Sequence, residues 1–183
     1  MALAGCASAQ PAAPAGPPAP TVGDGGPVAL REVWPLERIG PSPTDTVVRF
    51  AAATGRTIVL RHPRPDHAVF VIVSVPPGAF RPQAGDSVSL RLEPLPGRYG
   101  VTIRSTDSLV GIALGTFSYA VHFAQPDGST SRYPTATRFD EAMGAARMLD
   151  STALRFLPTE RPAGDMARFA IGSLGTYLLA APR

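Results

Sequence analysis

Proline and glycine recur along this chain so often that long helices have little room to form. Pro occurs 21 times and Gly 18 times in 183 residues. Each proline fixes φ and removes a backbone donor, and each glycine favours turns, so neither a helical bundle nor a coiled coil is expected. A hydrophobic content of 44% is too high for a wholly disordered chain. The pattern that satisfies both limits is a set of short strands between tight turns, a mainly β fold.

Apolar segments with turn residues on either side begin near residue 28 and continue to the end, and residues 28–183 are enough for one domain with a sizeable core. The expected strands are Thr46–Ala51, Thr57–Arg61, Ala68–Val75, Ser87–Glu93, Tyr99–Arg104, Leu109–Leu114, Phe117–Phe123, Met166–Ile171 and Thr176–Ala180. Val88, Leu90 and Leu92 alternate with Ser87, Ser89, Arg91 and Glu93, which is the period of a strand with one wet face. Val101 and Ile103 alternate with Thr102 and Arg104 in the same way. The run from Ala68 to Val73 is apolar on both faces and reads as a central strand.

One segment departs from this pattern. Thr137 can cap a helix over Arg138–Leu149, with Asp140 near its positive end and Phe139, Ala142, Met143, Ala146 and Leu149 on one face. A single amphipathic helix at about 138–149, inserted between strands to cover a sheet edge, is the expectation.

The only cysteine, Cys6, cannot form an internal disulfide. Leu3-Ala4-Gly5-Cys6 resembles the lipobox of bacterial lipoproteins. That resemblance implies that residues 1–6 are the remnant of a lipoprotein signal with its lipobox, cleaved before Cys6, with a diacylglyceryl thioether on the Cys6 sulfur. Residues 7–27 are dominated by Ala, Pro, Gly and Ser and have too little apolar surface to offset the entropy of ordering. They read as a disordered tether. Ala7 and Ser8 after the cysteine resemble the residues that accompany outer-membrane sorting in many lipoproteins. The implied address is the bacterial cell envelope, at the outer membrane, facing the periplasm or the surface.

Pro96-Gly97-Arg98-Tyr99, Leu114-Gly115-Thr116-Phe117 and Leu174-Gly175-Thr176-Tyr177 each place Gly two residues before an aromatic that opens an apolar run. They resemble the Pro-Gly-x-Tyr strand openings of immunoglobulin-like bacterial envelope domains. The fold class this resemblance implies is an antiparallel Ig-like, Greek-key β-sandwich. Inter-sheet cysteines of the usual kind are absent, and Trp34 lies too early to be their companion.

All 17 basic residues are arginine and the net charge is +3. They are spread along the chain without interleaved aromatics, so no nucleic-acid partner is expected. Ser108–Pro126, the longest uncharged stretch of the folded part, contains Gly111, Gly115, Ser118 and His122 and reads as strands around a turn, not a spanning helix. Aromatics at 7% are too few for the girdles of a membrane barrel.

Arg61-His62-Pro63-Arg64-Pro65-Asp66-His67 is the densest polar constellation. His62, Asp66 and His67 carry the donor types of a zinc site, although two neighbouring arginines would repel a cation. Arg61 and Arg64 could instead contact an anion such as a phosphate or carboxylate. His122 reads as a strand histidine, Ser118 lacks a nucleophile elbow, and Asp140 and Glu141 are adjacent and so face different sides of a helix. Gly23-Asp24-Gly25-Gly26 lacks the lysine and helix of a phosphate loop. No catalytic residue and no cofactor are assigned from these patterns. The expected function is interaction with an envelope protein or glycan, the membrane being reached through lipid on Cys6. The alternatives are a metal-dependent hydrolase at His62, Asp66 and His67, and a carbohydrate-binding module displaying exposed aromatics.

Overall fold

The computed structural model describes residues 25–183; Cys6, its flanking box and the expected tether up to residue 24 lie outside them. The described chain runs through β1 (Val28–Ala29), a 3-10 turn (Leu30–Glu32), β2 (Val33–Pro35), β3 (Glu37–Arg38), β4 (Thr46–Ala51), β5 (Arg56–Arg61) and β6 (Val69–Val75). It continues with β7 (Phe80–Arg81), β8 (Ser87–Pro94), β9 (Gly100–Ser105), β10 (Ser108–Leu109), β11 (Ala113–Ser118) and β12 (Phe123–Ala124). A second 3-10 turn (Ser129–Ser131) and the helix α1 (Ala136–Ala142) precede β13 (Gly144–Met148), β14 (Ala153–Phe156), β15 (Met166–Ile171) and β16 (Gly175–Pro182). The fold is mainly β, and every strand pair in it is antiparallel.

Two sheets dominate. The larger has the order β1-β14-β13-β16-β9-β8-β4, with β2 continuing alongside the far end of β16. The smaller has the order β15-β11-β6-β5. Strand alternation decides which side of each becomes core: in β8, Val88, Leu90 and Leu92 are buried while Ser87 and Arg91 stay exposed. Phe70, Val73 and Phe117 of the smaller sheet meet Val88, Leu90 and Tyr177 of the larger in one core. A line of rings from Phe70 to Phe117, Phe169 and Tyr177, with centroids 5.9, 5.5 and 5.2 Å apart, stitches the layers together.

The chain passes from one sheet to the other between β4 and β5. Gly55 makes this passage at φ +65, and a Cβ there would lie 2.4 Å from the Val75 carbonyl oxygen. Only glycine fits both the conformation and the space.

Around β13, β14 and β16 the second face of the larger sheet is also buried. Val33, Leu154, Leu178 and Ala180 form a satellite core there, closed by Leu30, Leu95 and Met148. β16 therefore lies deep in the molecule, with Tyr177 to Ala181 all buried.

Three expectations need correction. The helix expected over 138–149 is confined to Ala136–Ala142, and its cap is not Thr137 but Thr135, whose side chain accepts from the Arg138 N–H. Gly144–Met148 is instead a strand of the larger sheet between β14 and β16. Gly144, Ala145 and Ala146 are buried on both faces, so this stretch lacks the polar alternation of an exposed strand. The strands expected at Leu109–Leu114 and Phe117–Phe123 are divided differently, as β10, β11 and β12. Gly115, read as a turn, stands in the middle of β11 opposite Phe169, whose ring occupies the place of a side chain: a Cβ on Gly115 would lie 2.3 Å from it. Gly97 does make a turn, at φ +63, and Gly175 opens β16.

Candidate functional site

The polar loop after β5 is built around one buried imidazole. The His62 N–H donates to the Ala68 carbonyl at 2.8 Å, closing the loop, and the ring is only 1% exposed. It stands edge-on to Phe70 at 5.4 Å, with Nε2 3.3 Å from the Tyr99 hydroxyl. Nδ1 is buried without a partner. Burial first, then the neighbouring His122 and Arg38, hold the His62 pKa below the usual histidine range, so the ring is neutral at pH 7. Tyr99 in turn donates its hydroxyl to the Val121 carbonyl, and burial pushes its own ionisation far above neutrality.

Asp66 and His122 complete the cluster. The short pairing of β3 with β12, together with the Ile39 N–H donating to the His122 carbonyl, fixes His122 beside the loop. It lies outside any strand, at φ 59. Its Nε2 is 2.5 Å from Asp66 Oδ2, and its ring centre is 4.6 Å from that of His62. Gly40 leaves room for it, since a Cβ there would come within 2.9 Å of His122 Nδ1. Arg38 lies beneath, 8% exposed, donating to the carbonyls of Gly40 and Leu95, both at 3.3 Å.

Of the five residues singled out in the loop, His62 and Asp66 thus meet only through His122. His67 is exposed in a left-handed conformation, and its carbonyl accepts from Arg61 Nη1 at 3.2 Å. Arg64 is exposed and precedes a cis proline. His62 points toward Tyr99 and Asp66 toward His122, so the three expected ligands do not converge on one point. Among the described residues no group of three or more His, Cys, Asp or Glu side chains is placed to hold a metal ion.

An imidazole oriented by a carboxylate is half of a general-base arrangement, but catalysis also needs a nucleophile in reach. No hydroxyl among the described residues hydrogen-bonds to His122, and the one facing His62 belongs to Tyr99, already committed to Val121. Ser118 is buried, Asp140 pairs with Arg161 at 3.2 Å and Glu141 with Arg138 at 3.5 Å. What the cluster does chemically is tie the β5–β6 loop of the smaller sheet to Tyr99, at the head of β9 in the larger.

A second feature lies on the outside of the smaller sheet. The register aligns Leu114 with Ser74 and Ala170, and Thr116 with Ile72, which in turn faces Val59. Val59 is 40% and Leu114 44% exposed, and Ile112, just ahead of β11, is 62% exposed. Arg168, paired with Glu160, marks the rim on β15. Sequence reasoning missed this face because each of its residues, taken singly, is an ordinary strand residue. It also read His122 as a strand histidine, whereas the residue stands in a bend at φ 59 beside Asp66, 56 residues away in sequence.

The aromatics lie elsewhere. Tyr99, Tyr119 and Tyr133 are buried, and Trp34 is covered by the Arg183 guanidinium at 3.6 Å. No helix among the described residues is long and apolar enough to cross a membrane. Comparison with known protein families, with curated proteins and with solved structures finds no match to this chain.

Proposed function

We propose that this protein is a non-catalytic interaction module of the bacterial cell envelope, anchored by lipid on Cys6, which binds another envelope protein through the outer face of the β15-β11-β6-β5 sheet. The observation that carries this reading is the uncharged centre of that face, where Val59, Ile72, Leu114 and Ala170 stand among the hydroxyl residues Thr57, Ser74 and Thr116. Its partner presents a matching apolar, uncharged surface, since a charged group set against Leu114 and Val59 would lose its hydration without gaining a counter-ion. A protein fits better than a glycan, because sugar-binding faces stack rings on exposed aromatics and the tyrosines here are buried.

The anchor and the address rest on Leu3-Ala4-Gly5-Cys6 and the Pro- and Ala-rich segment after it. An Ig-like, Greek-key sandwich is the finer architecture we assign. It is supported by the passage of the chain between sheets after β4 and by the shared core between them.

The experiment is site-specific photo-crosslinking in cells, with benzoylphenylalanine placed at Leu114 in the full chain and, as a control, at the exposed Arg31. A discrete adduct at position 114, absent at 31, whose mass spectrum identifies a different envelope protein, is the expected result. No adduct at 114 overturns the binding reading, and an adduct of twice the chain mass replaces the foreign partner with a second copy. The anchor is tested separately: Cys6→Ala moves the protein to the soluble fraction, and unchanged membrane partition removes the lipid from the proposal.

A further inference from the structure

Antiparallel register sets Arg147 of β13 directly opposite Arg155 of β14. The flanking bonds, Leu149 N–H to Ala153 carbonyl and Leu157 N–H to Ala145 carbonyl, make this a hydrogen-bonded pair with both side chains on one face. Like charges placed directly across a strand pair are destabilising.

Six of the described arginines pair with acids. Arg91 has Asp45 and Glu93, Arg104 has Glu93, Arg161 has Asp140, and Arg168 has Glu160. The other arginines among the described residues, Arg147 and Arg155 included, form no salt bridge. Arg147 is poorly satisfied in another respect. Its guanidinium makes one long hydrogen bond, Nη2 to the Leu174 carbonyl at 3.5 Å, and its Nε is buried without a partner.

Both arginines line a cavity of about 270 Å³ beside Gly172, Ser173 and Tyr177, with no acidic side chain in its walls. Tyr177 is not free to help, since its hydroxyl donates to the Ser173 carbonyl at 2.5 Å. The nearest acid along the chain, Asp150, lines the adjoining opening of about 520 Å³ that Arg147 and Arg98 also face. Its Oδ1 accepts from the Thr152 N–H at 2.7 Å, the Thr152 hydroxyl at 2.8 Å and the Ala153 N–H at 2.9 Å, so it is committed to its own turn.

Two arginines opposed across a strand pair, neither in a salt bridge and both at the wall of a small cavity, make an arrangement that an oxyanion can complete. We propose that Arg147 and Arg155 form a binding site for the carboxylate or phosphate of a small ligand. A group with two or three oxygens can take N–H donors from both side chains at once and cancel the repulsion between them. The cavity admits a ligand of about the size of a sugar acid or sugar phosphate, and no folded partner. Ala170 on the edge strand β15 borders both this cavity and the protein-binding face proposed above, but the arginine pair is set by the register of β13 and β14 and not by that face.

The test is thermal melting of the full chain at constant ionic strength, in chloride alone and with inorganic phosphate or glucuronate added, for wild type, Arg155→Gln and Arg155→Glu. Arg155 is exposed, so both variants are expected to fold. The wild-type melting temperature should rise saturably, by about 5 °C or more, with at least one of the two anions. A response to glucuronate alone assigns a carboxylate ligand, and one to phosphate alone assigns a phosphoryl ligand. Arg155→Gln should lose the response. Arg155→Glu should also lose it, while melting above the wild type in chloride because Arg147 gains a cross-strand partner. Equal responses in wild type and Arg155→Gln, no wild-type response to either anion, or an Arg155→Glu protein that melts no higher than wild type in chloride would each overturn the proposal.

Discussion

The two sheets of this protein share one core but differ in what lies on their other sides. Behind the larger sheet, Val33, Leu154, Leu178 and Ala180 are sealed under Leu30, Leu95 and Met148, so Tyr177 to Ala181 of β16 touch water on neither face. On the outside of the smaller sheet, among the described residues, Val59 and Leu114 stand 40% and 44% exposed. The same β-branched and aliphatic residue types therefore hold the fold together in one place and remain available in the other. Residue type does not separate the two roles; the presence or absence of a covering segment does.

The comparison can be broken most directly on the covered side. Leu178→Ala leaves a cavity between two closed layers and should cost about 2–5 kcal/mol, read from urea unfolding; a loss below about 1 kcal/mol would mean the satellite core is loosely packed. On the smaller sheet the tight place is the inner side, where Gly115→Ala forces the Phe169 ring out of position. A loss of about 1–3 kcal/mol is expected, and Phe169→Leu in the same chain should recover part of it, a non-additivity measurable by a double-mutant cycle.

Acid should attack the tie between the sheets. His62 is kept neutral in the folded state, chiefly by burial, so its folded pKa lies below the ordinary value of about 6.5 that it regains on unfolding. Its contribution is complete above about pH 6.5 and is lost as pH falls through the folded pKa, because the unfolded chain takes up a proton that the folded one resists. Melting curves of wild type should therefore decline more steeply below pH 6.5 than those of His62→Phe; parallel declines would place the acid sensitivity elsewhere. The smallest effect belongs to the bare face. Leu114→Ser should change stability by no more than about 0.5 kcal/mol, and a greater loss in the same unfolding assay would show that this side chain belongs to the core after all.

Much of this architecture was legible in the sequence wherever one face of a strand is wet. Thr46–Ala51 and Met166–Ile171 are found end to end as β4 and β15, and β8 shows the alternation of Val88, Leu90 and Leu92 that its sequence announces. Legibility failed where both faces are dry. Gly144–Met148 lost its period-two signal when β16 and the satellite core enclosed it, and the spacing of Ala142, Met143 and Ala146 then imitated a helix. Gly115 misled for a related reason, since a glycine that looks like a turn is here a slot for a ring from the neighbouring strand. The polar loop was visible as a group of residues but not as a geometry. His62 and Asp66 were adjacent in the reading, while the side chain that joins them, His122, arrives from a bend after β11. Arg147 and Arg155 were two scattered charges until the register of β13 and β14 set them face to face.

The position of β16 has a consequence for how the molecule is made. It follows every other described strand along the chain, yet it joins β13 on one side to β9 and β2 on the other. Until it is synthesised, β4, β8 and β9 can form only one open ribbon and β13 and β14 another, each with an unfilled edge where β16 will sit. Closure of the larger sheet thus waits for β16, and until it arrives the nascent protein carries two adhesive edges open to a chaperone or a neighbouring copy.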